Sequence, residues 1–267
     1  MAPPAILDEL RFPLRTAGFV GLTFGMYGLL EADTAISPGG SRDQVLHKWM
    51  RRYGHALLDL YGVEVTGGGP HVGAGDQYPE RDGRGLGRLF VMNHRSALDI
   101  AVTLAFFEAT IVSRADLARW PVIGVAARRV GTLFVDRSDR RSGSAVIQAM
   151  TEALERGRGV MVYPEGTTFA DDEVRPFRAG AFTAARQAGA EIVPVGIAYG
   201  GGEASYVDEP FSAHMKRVSR ARRTRAAIEV GAPMGVEGQE VDALLAAARV
   251  AVQALVGRAR AALDGAA

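Results

Sequence analysis

The residues of this chain that could do chemistry begin with an Asn-His pair and a carboxylate five positions after the histidine. The run from Val91 to Asp99 reads Val-Met-Asn-His-Arg-Ser-Ala-Leu-Asp. His94 is a candidate general base, and Asp99 can hold the ring nitrogen that takes no part in proton transfer. The same carboxylate fits a capping box with Ser96 at the start of a helix, so both roles are open for Asp99.

The elements around His94 are predicted to present it at the edge of a sheet. An apolar strand over residues 88–92 ends just before Asn93, and a helix over residues 97–108 follows, with Ser96 as its cap. In open α/β sheets the ligand crevice lies at the carboxyl ends of the strands. The strand therefore delivers His94 to the expected crevice.

Length and composition are those of one large domain. The chain has 267 residues, of which 48% are hydrophobic, and a formal net charge of +1. It is long enough for one α/β domain with a substantial core and too short for two of ordinary size. The absence of cysteine excludes disulfides, cysteine-ligated zinc and a thiol-based acyl intermediate. Neither a metal site nor a nucleic-acid partner is predicted.

The N-terminal part of the chain contains an uncharged stretch. Residues 16–30 carry no charge, with Arg11 and Arg15 before them and Glu31 and Asp33 after them. A spanning helix needs about 20 apolar residues, so an interfacial or shallowly inserted helix is favoured, and a buried core helix is the alternative. No secretory signal is indicated.

A second helix over residues 42–61 would complete a helical hairpin. We therefore predict a membrane-associating helical segment over residues 1–62 and an α/β domain over residues 63–267. A basic run either rests on anionic lipid headgroups or is a solvated loop. It contains Lys216, Arg217, Arg220, Arg222, Arg223 and Arg225.

From residue 88 onward, short apolar runs alternate with helical patterns. The predicted strands are 88–92, 111–113, 132–135, 159–163, 192–198 and 225–230. The predicted helices are 97–108, 121–129, 143–156, 178–188 and 239–262. This alternation predicts an α/β fold with a mostly parallel central sheet flanked by helices.

Two further strand ends carry candidate site residues. Arg137 ends one strand, and a guanidinium there can grip a phosphate. Glu165 ends the next strand and can bind a substrate hydroxyl or hold a basic side chain, while Gly166 lets backbone N–H groups approach an oxyanion. Arg178 opens a helix whose N-terminus suits anions. With His94, these residues predict one composite site at one edge of the sheet.

Four sequence blocks together resemble those of a known family. They are, in order, Asn93-His94-x-x-x-x-Asp99, Gly131-x-x-Phe134-x-Asp136-Arg137, Pro164-Glu165-Gly166-Thr167 and Val193-Pro194-Val195. This ordered set is similar to that of the glycerophospholipid acyltransferases, the family that includes bacterial 1-acyl-glycerol-3-phosphate acyltransferase. The N-terminal helices resemble the membrane-binding two-helix element of that family.

The resemblance implies an O-acyltransferase with a direct mechanism. His94 would take the proton of an acceptor hydroxyl, Asp99 would support His94, and the acceptor oxygen would attack an acyl thioester. The implied donor is acyl-CoA or acyl carrier protein, which is a substrate, so no cofactor is expected. The implied acceptor is a lysophospholipid, foremost lysophosphatidic acid, which would give phosphatidic acid. The implied location is the membrane surface on the cytoplasmic face of the inner membrane.

The resemblance also implies a set of substrate-binding residues. Arg137 would bind the acceptor's phosphate, and Glu165 with Gly166 would position its glycerol. The full predicted set is Arg137, Glu165, Gly166, Thr167, Thr168 and Arg178. Many phosphatidic-acid-forming members have arginine where this chain has Thr168. Glycerol 3-phosphate, other lysolipids and amino-lipids therefore stay open as acceptors, with Arg175 or Arg178 as substitutes for the missing guanidinium.

Two other kinds of function stay open at this point. A catalytically silent lipid-binding protein would keep the same fold, although the intact pair of His94 and Asp99 argues against it. A phosphatase or other hydrolase is disfavoured because the sequence offers no nucleophile or metal cluster for it.

Overall fold

The strands form one sheet in the computed structural model, which describes residues 4–39, 42–136 and 140–265. Their bounds are β1 Val63–Gly68, β2 Leu89–Met92, β3 Thr110–Arg114, β4 Leu133–Val135, β5 Val160–Val162, β6 Ile192–Gly200 and β7 Thr224–Val230. Across the described sheet the order is β1-β7-β6-β2-β5-β3-β4. Strands β2 to β6 run parallel, whereas β7 is antiparallel to β6 and parallel to β1. The predicted mostly parallel sheet is confirmed.

Eight α-helices accompany this sheet in the described residues. They are α1 Pro4–Ile36, α2 Arg42–Tyr61, α3 Asp99–Phe106, α4 Ile123–Arg129, α5 Arg140–Glu155, α6 Gly180–Ala188, α7 Phe211–Arg220 and α8 Val241–Gly265. Short 3-10 helices lie at Val72–Ala74 and Ala115–Arg119. Helix α2 has the predicted bounds, and α1 extends beyond the uncharged stretch at both ends. The sequence reasoning missed α7, which contains the start of the basic run.

Helices cover both faces of the sheet. Successive residues of a strand point to opposite faces, so the two halves of β2 join different parts of the core. Phe90 and Met92 pack with buried residues of α2 and α3. Leu89 and Val91 pack with buried residues of α5, α6 and α8. Strand β2 is therefore covered on both sides, which explains its wholly apolar sequence.

The predicted helical hairpin is formed by α1 and α2. The hydroxyl groups of Thr23 and Tyr53 lie 2.7 Å apart, and Trp49 donates to Asp33 at 2.8 Å. At Gly54, helix α2 approaches α3 so closely that an added Cβ would lie 2.4 Å from the nitrogen of Ala105. The hairpin is thus packed against the helix that begins at Asp99.

The N-terminal elements also bear on the predicted division of the chain. The predicted boundary after residue 62 falls between the end of α2 and the start of β1; the division into two segments stays a prediction. In the described part of the chain, no helix combines the length and the apolar character needed to cross a membrane.

Candidate active site

Strand β2 leads to His94 through a buried asparagine, Asn93, which is hydrogen-bonded to β6. The Asn93 side chain has no exposed surface, and it donates to the carbonyl oxygen of Ile197 at 2.9 Å. It also accepts the N–H of the same residue at 2.8 Å. Asn93 therefore extends the pairing between β2 and β6 by one side chain. This explains the asparagine of the Asn-His pair, because the strand end that carries His94 is held in place.

Asp99 holds His94 and also caps the turn between them. His94 Nδ1 lies 2.6 Å from Asp99 Oδ2, and the backbone N–H groups of Arg95 and Ser96 donate to the same oxygen at 2.7 and 3.0 Å. The other oxygen, Oδ1, accepts the hydroxyl of Tyr199 at 2.7 Å. The two roles left open for Asp99 are therefore both present, and Ser96 caps only indirectly, by accepting the N–H of Leu98.

This arrangement assigns the tautomer of His94. Because the Asp99 carboxylate accepts from Nδ1, the proton of the neutral ring lies on Nδ1 and the lone pair lies on Nε2. Nε2 has no hydrogen-bond partner in the described ranges, and the His94 side chain is 21% exposed. The ring is thus oriented by a fully buried carboxylate and keeps one nitrogen free to accept a proton.

Two tyrosines, the partly buried Tyr163 and the buried Tyr199, complete the surroundings of the histidine. The ring of Tyr163 stacks on His94 with centroids 4.2 Å apart, and its hydroxyl donates to the backbone carbonyl of Asp99 at 3.1 Å. Burial raises the pKa of Tyr163 and Tyr199 well above the usual range, and the Asp99 charge adds to the effect. Both phenols therefore stay protonated as hydrogen-bond donors. The sequence reasoning missed both residues.

Glu165 lies beneath the turn and pairs with Arg95. Its side chain has no exposed surface; Oε1 accepts from Arg95 Nη1 and from the N–H of His94, both at 2.9 Å. Oε2 accepts the N–H of Arg175 at 2.9 Å. The geometry favours the second of the two roles open for Glu165, that of holding a basic side chain. That side chain, Arg95, was missed because it lies within the first block and was given no role.

The loop after Glu165 passes directly beside His94. Phe169 donates its N–H to the carbonyl oxygen of His94 at 3.0 Å. The amide and hydroxyl groups of Thr167 and Thr168 have no hydrogen-bond partners among the residues that the structure describes, and Thr167 is exposed. These groups are available donors on the loop that is hydrogen-bonded to the backbone of His94.

Gly166 is required by the conformation and the packing of this loop. Its φ is +80°, in the left-handed region, and an added Cβ would lie 2.3 Å from Nε of Arg178. The exposed Arg178 side chain therefore lies against the loop that carries Thr167. Of the predicted set, the structure brings together His94, Asp99, Glu165, Gly166, Thr167, Thr168 and Arg178.

Arg137 is the one predicted site residue that lies outside the described residues. The strand before it, β4, is separated from β5 by β3 in the sheet order. Its assignment to an acceptor phosphate stays a prediction.

Comparison with known proteins places the site within a family of lipid-modifying enzymes. The family model described as Acyltransferase matches residues 76–198. The chain is 30% identical over 267 residues to the lyso-ornithine lipid O-acyltransferase of Pseudomonas aeruginosa, covering 95% of this chain and 96% of that protein. It is 34% identical over 113 residues to the 1-acyl-sn-glycerol-3-phosphate acyltransferase of Neisseria gonorrhoeae, covering 42% and 44% of the two chains.

The fold is also similar to a solved structure. The crystal structure of the 1-acyl-sn-glycerophosphate (LPA) acyltransferase from Thermotoga maritima matches with a TM-score of 0.73 and covers 96% of each chain. The sequences are 18% identical, so this match shows a shared fold. The two chains therefore share one overall architecture.

Proposed function

Since this chain belongs to the glycerophospholipid acyltransferase family and is an O-acyltransferase of lysolipids, we propose a donor and an acceptor for its reaction. It transfers a fatty acyl group from a thioester donor to the free hydroxyl of an amino-acid-containing lysolipid of the lyso-ornithine type. The donor is acyl-CoA or acyl carrier protein. The second candidate acceptor is lysophosphatidic acid. The first acceptor is supported by sequence similarity along nearly the full chain, and the second by similarity along a shorter segment.

The observation that carries the proposed chemistry is the pairing of His94 Nδ1 with Asp99, which leaves Nε2 free. Nε2 accepts the proton of the acceptor hydroxyl while the hydroxyl oxygen attacks the thioester carbonyl. The tetrahedral oxyanion then collapses, the carbon–sulfur bond breaks, and Nε2 returns the proton to the leaving thiolate. Asp99 stabilises the imidazolium that exists between these two transfers.

The tetrahedral oxyanion needs hydrogen-bond donors that are already in place. We assign this role to the loop of Thr167 and Thr168, because their amide and hydroxyl groups have no partners in the described parts of the chain and the loop is bonded to His94 through Phe169. Arg178, which lies against Gly166, supplies a positive charge beside the same loop.

The local charges support an acceptor whose headgroup is not a phosphate. Thr168 stands where many phosphatidic-acid-forming members have arginine. Beyond it, the exposed carboxylates of Asp171 and Glu173 both pair with the guanidinium of Arg175, so this guanidinium is already neutralised. Glu173 lies close to the site, since its carbonyl oxygen accepts from buried Arg95 at 3.0 Å. Arg175 is thus not free to replace the missing guanidinium, which favours an acceptor with an ornithine headgroup over one with a phosphate.

We predict that the acceptor preference depends on Thr168. Purified protein in vesicles should release thiol from acyl-CoA or acyl carrier protein fastest with a lyso-ornithine lipid. The substitution Thr168→Arg should shift the ratio of kcat/KM values toward lysophosphatidic acid by about tenfold or more, because a guanidinium forms charge-assisted bonds to phosphate. Thiol release is followed in parallel with glycerol 3-phosphate and without acceptor.

The matched control is Thr168→Gln, which enlarges the side chain without adding charge. An equal shift in that variant would contradict the charge argument. Release with lysophosphatidic acid alone in the wild-type protein would replace the first acceptor by the second. No acceptor-dependent release with either donor would overturn the proposed function.

The exposed face of α1 supports association with a membrane surface. Every exposed residue of α1 from Leu10 to Ile36 is uncharged, and all but Thr16 are apolar or glycine. The large exposed side chains on this face are Leu10, Leu14, Val20, Phe24, Leu29 and Ile36. A helix with one long apolar face is typical of proteins that lie in the membrane interface. We propose that α1 docks there, on the cytoplasmic face of the membrane.

Part of the basic run can assist this docking. Lys216, Arg220 and Arg222 are exposed, and each basic charge adds about 1 kcal/mol near an anionic surface. Arg217 and Arg223 are paired with Glu209 and Glu64. The two predicted alternatives, lipid contact and solvation, thus concern fewer residues than the sequence suggested.

Membrane binding is predicted to depend on α1. Replacing Leu14 and Phe24, which are 68% and 50% exposed, by glutamine should weaken partitioning onto anionic vesicles by about 100-fold, since each apolar side chain contributes about 1.5 kcal/mol or more. Cosedimentation measures this partitioning. The control is Val250→Gln, a 71% exposed residue on α8, which should bind as the wild type does. Equal weakening in both variants would contradict docking through α1.

A further inference from the structure

A fully buried histidine on α7 contacts the turn between His94 and Asp99. His214 has no exposed surface, and its Nε2 lies 3.2 Å from the backbone nitrogen of Ala97 and 3.3 Å from Ser96 Oγ. The family model ends at residue 198, so His214 lies outside the matched segment. A side chain from a late helix thus reaches into the first sequence block.

The partners of His214 determine which of its nitrogens carries the proton. The N–H of Ala97 can only donate, so Nε2 is the acceptor and the proton lies on Nδ1. Nδ1 lies 3.5 Å from a carboxylate oxygen of Glu209, which can accept its proton. Arg217 Nη2 lies 3.2 Å from Nδ1, but its two hydrogens are donated to Glu209 and to the carbonyl oxygen of Ser205. Burial lowers the pKa of His214, and the charge of Arg217 lowers it further. The fold therefore favours the neutral ring with Nε2 as an acceptor.

Helix α7 is anchored near both ends, which fixes the position of this ring. Arg217 donates to Glu209 in the preceding loop at 2.5 Å. At the other end, Arg15 of α1 donates to the carbonyl oxygens of Ser219 and Ala221 at 3.0 and 2.7 Å. The last carbonyls of a helix have no partner within it, so this guanidinium caps α7. The imidazole is thus carried by a helix that is tied to α1.

We propose that His214 is a positioning residue for the candidate base: it accepts the N–H of Ala97 and thereby holds the turn that keeps Asp99 on Nδ1 of His94. The inference rests on the proposed function, because it takes His94 as the base. His214 does not touch the reacting atoms. It acts on the shape of the turn from outside the sheet edge at which the reaction takes place.

The turn before Asp99 and the Asp99 carboxylate are hydrogen-bonded to each other, so a hydrogen bond at Ala97 affects the position of His94. Asp99 accepts the backbone N–H groups of Arg95 and Ser96, the two residues before Ala97. An N–H that loses its acceptor away from water is unfavourable, so the turn rearranges when the acceptor is removed. A displacement of about 1 Å at a reacting group costs about 100-fold in rate.

The test compares His214→Leu with His214→Gln. Leucine fills a similar volume but accepts no hydrogen bond, whereas the glutamine side-chain oxygen can accept from Ala97. We expect kcat to fall about 100-fold in the leucine variant with little change in the KM of the thioester, and to stay within about threefold of wild type in the glutamine variant. The control is Val218→Ala, a buried apolar truncation on the same helix.

Amide hydrogen exchange of the peptide that contains Ala97 gives a readout that does not depend on activity. Exchange should be faster in His214→Leu than in wild type and His214→Gln. Wild-type kcat in the leucine variant, unchanged exchange, or equal losses in Val218→Ala would overturn the proposal. If the wild-type protein shows no acceptor-dependent turnover, the proposed function fails. A difference in exchange would then show that His214 holds the N–H of Ala97, while the catalytic role of this hydrogen bond would fail together with the proposed function.

The hydrogen bond from Ala97 to neutral His214 also predicts a pH dependence of stability. The pKa of His214 lies below the ordinary value of 6.5. The unfolded chain therefore binds more protons than the folded chain as the pH falls below about 6.5. The stability that His214 contributes is complete above that pH and is lost as the pH falls toward the pKa of His214 in the folded protein. The groups that face the ring are Glu209 and Tyr206 of the preceding loop, Arg217 of α7, and Ser96, Ala97 and Asp99.

We expect the melting temperature to fall less between about pH 7.5 and pH 5.5 in His214→Gln than in wild type, because glutamine does not titrate. Burial also lowers the pKa of His55, but that contribution is common to both proteins. Equal falls in the two proteins would contradict the neutral acceptor role of His214.

Discussion

Replacing His94 by alanine is expected to lower kcat by about 10²- to 10⁴-fold, the range associated with loss of a general base. The side chain is 21% exposed and lies after the end of β2, so its removal leaves the core intact. The thermal unfolding midpoint should stay close to that of the wild type. Thiol release from the thioester donor, measured with saturating acceptor, gives kcat.

The matched control is His55→Ala on α2, a half-buried histidine whose ring packs edge-on against Phe106. It removes an imidazole of similar exposure from a place away from the site, and turnover should be retained. Full activity in His94→Ala would exclude His94 as the base. An unfolded His94→Ala protein would not decide the point, so His94→Gln is measured beside it; glutamine fills the space but cannot accept and return the proton.

Replacing Glu165 by leucine is expected to destabilise the protein by about 3–5 kcal/mol, because it leaves the charge of Arg95 buried without a partner. The side chain of Arg95 is 2% exposed and that of Glu165 is 0% exposed, and Arg95 Nη1 lies 2.9 Å from Glu165 Oε1. Urea unfolding measures the loss. The matched control is Glu173→Gln in the same loop; the Glu173 carboxylate is 66% exposed, and an exposed ion pair is worth about 1 kcal/mol or less.

This result would also separate the two roles that the sequence left open for Glu165. A carboxylate that binds the acceptor would raise KM when replaced, with stability unchanged. A carboxylate that supports Arg95 and the His94 turn should lower stability, and the double substitution Glu165→Leu with Arg95→Met should recover much of it, because no buried charge remains. A stable Glu165→Leu protein with a raised KM would contradict the supporting role.

The missed helix shows how a local pattern can be misinterpreted. Residues 216–225 were interpreted by their charge, as a lipid-binding patch or a solvated loop, although Phe211, Met215 and Val218 recur at helical spacing just before and within them. The helix buries His214 and Val218 and uses Arg217 to hold the preceding loop. Helical periodicity over these residues would have predicted α7.

The sequence by itself determined the alternation of strands and helices, the α1–α2 hairpin, the family and the candidate pair of His94 and Asp99. Hydrophobic periodicity is local, and five positions separate the two site residues, so one strand end and one helix start bring them together. The sequence left open both the role of Asp99 and the role of Glu165.

Only the tertiary structure decided what supports that pair. The hydrogen bonds of Arg95 with Glu165, of Tyr199 with Asp99 and of Ser96 with His214 join residues 70, 100 and 118 positions apart. Such partners meet because the sheet order places β2 between β5 and β6 and because α7 lies over the turn. No local pattern encodes these distances, since a buried donor or acceptor selects its partner by position in the folded chain.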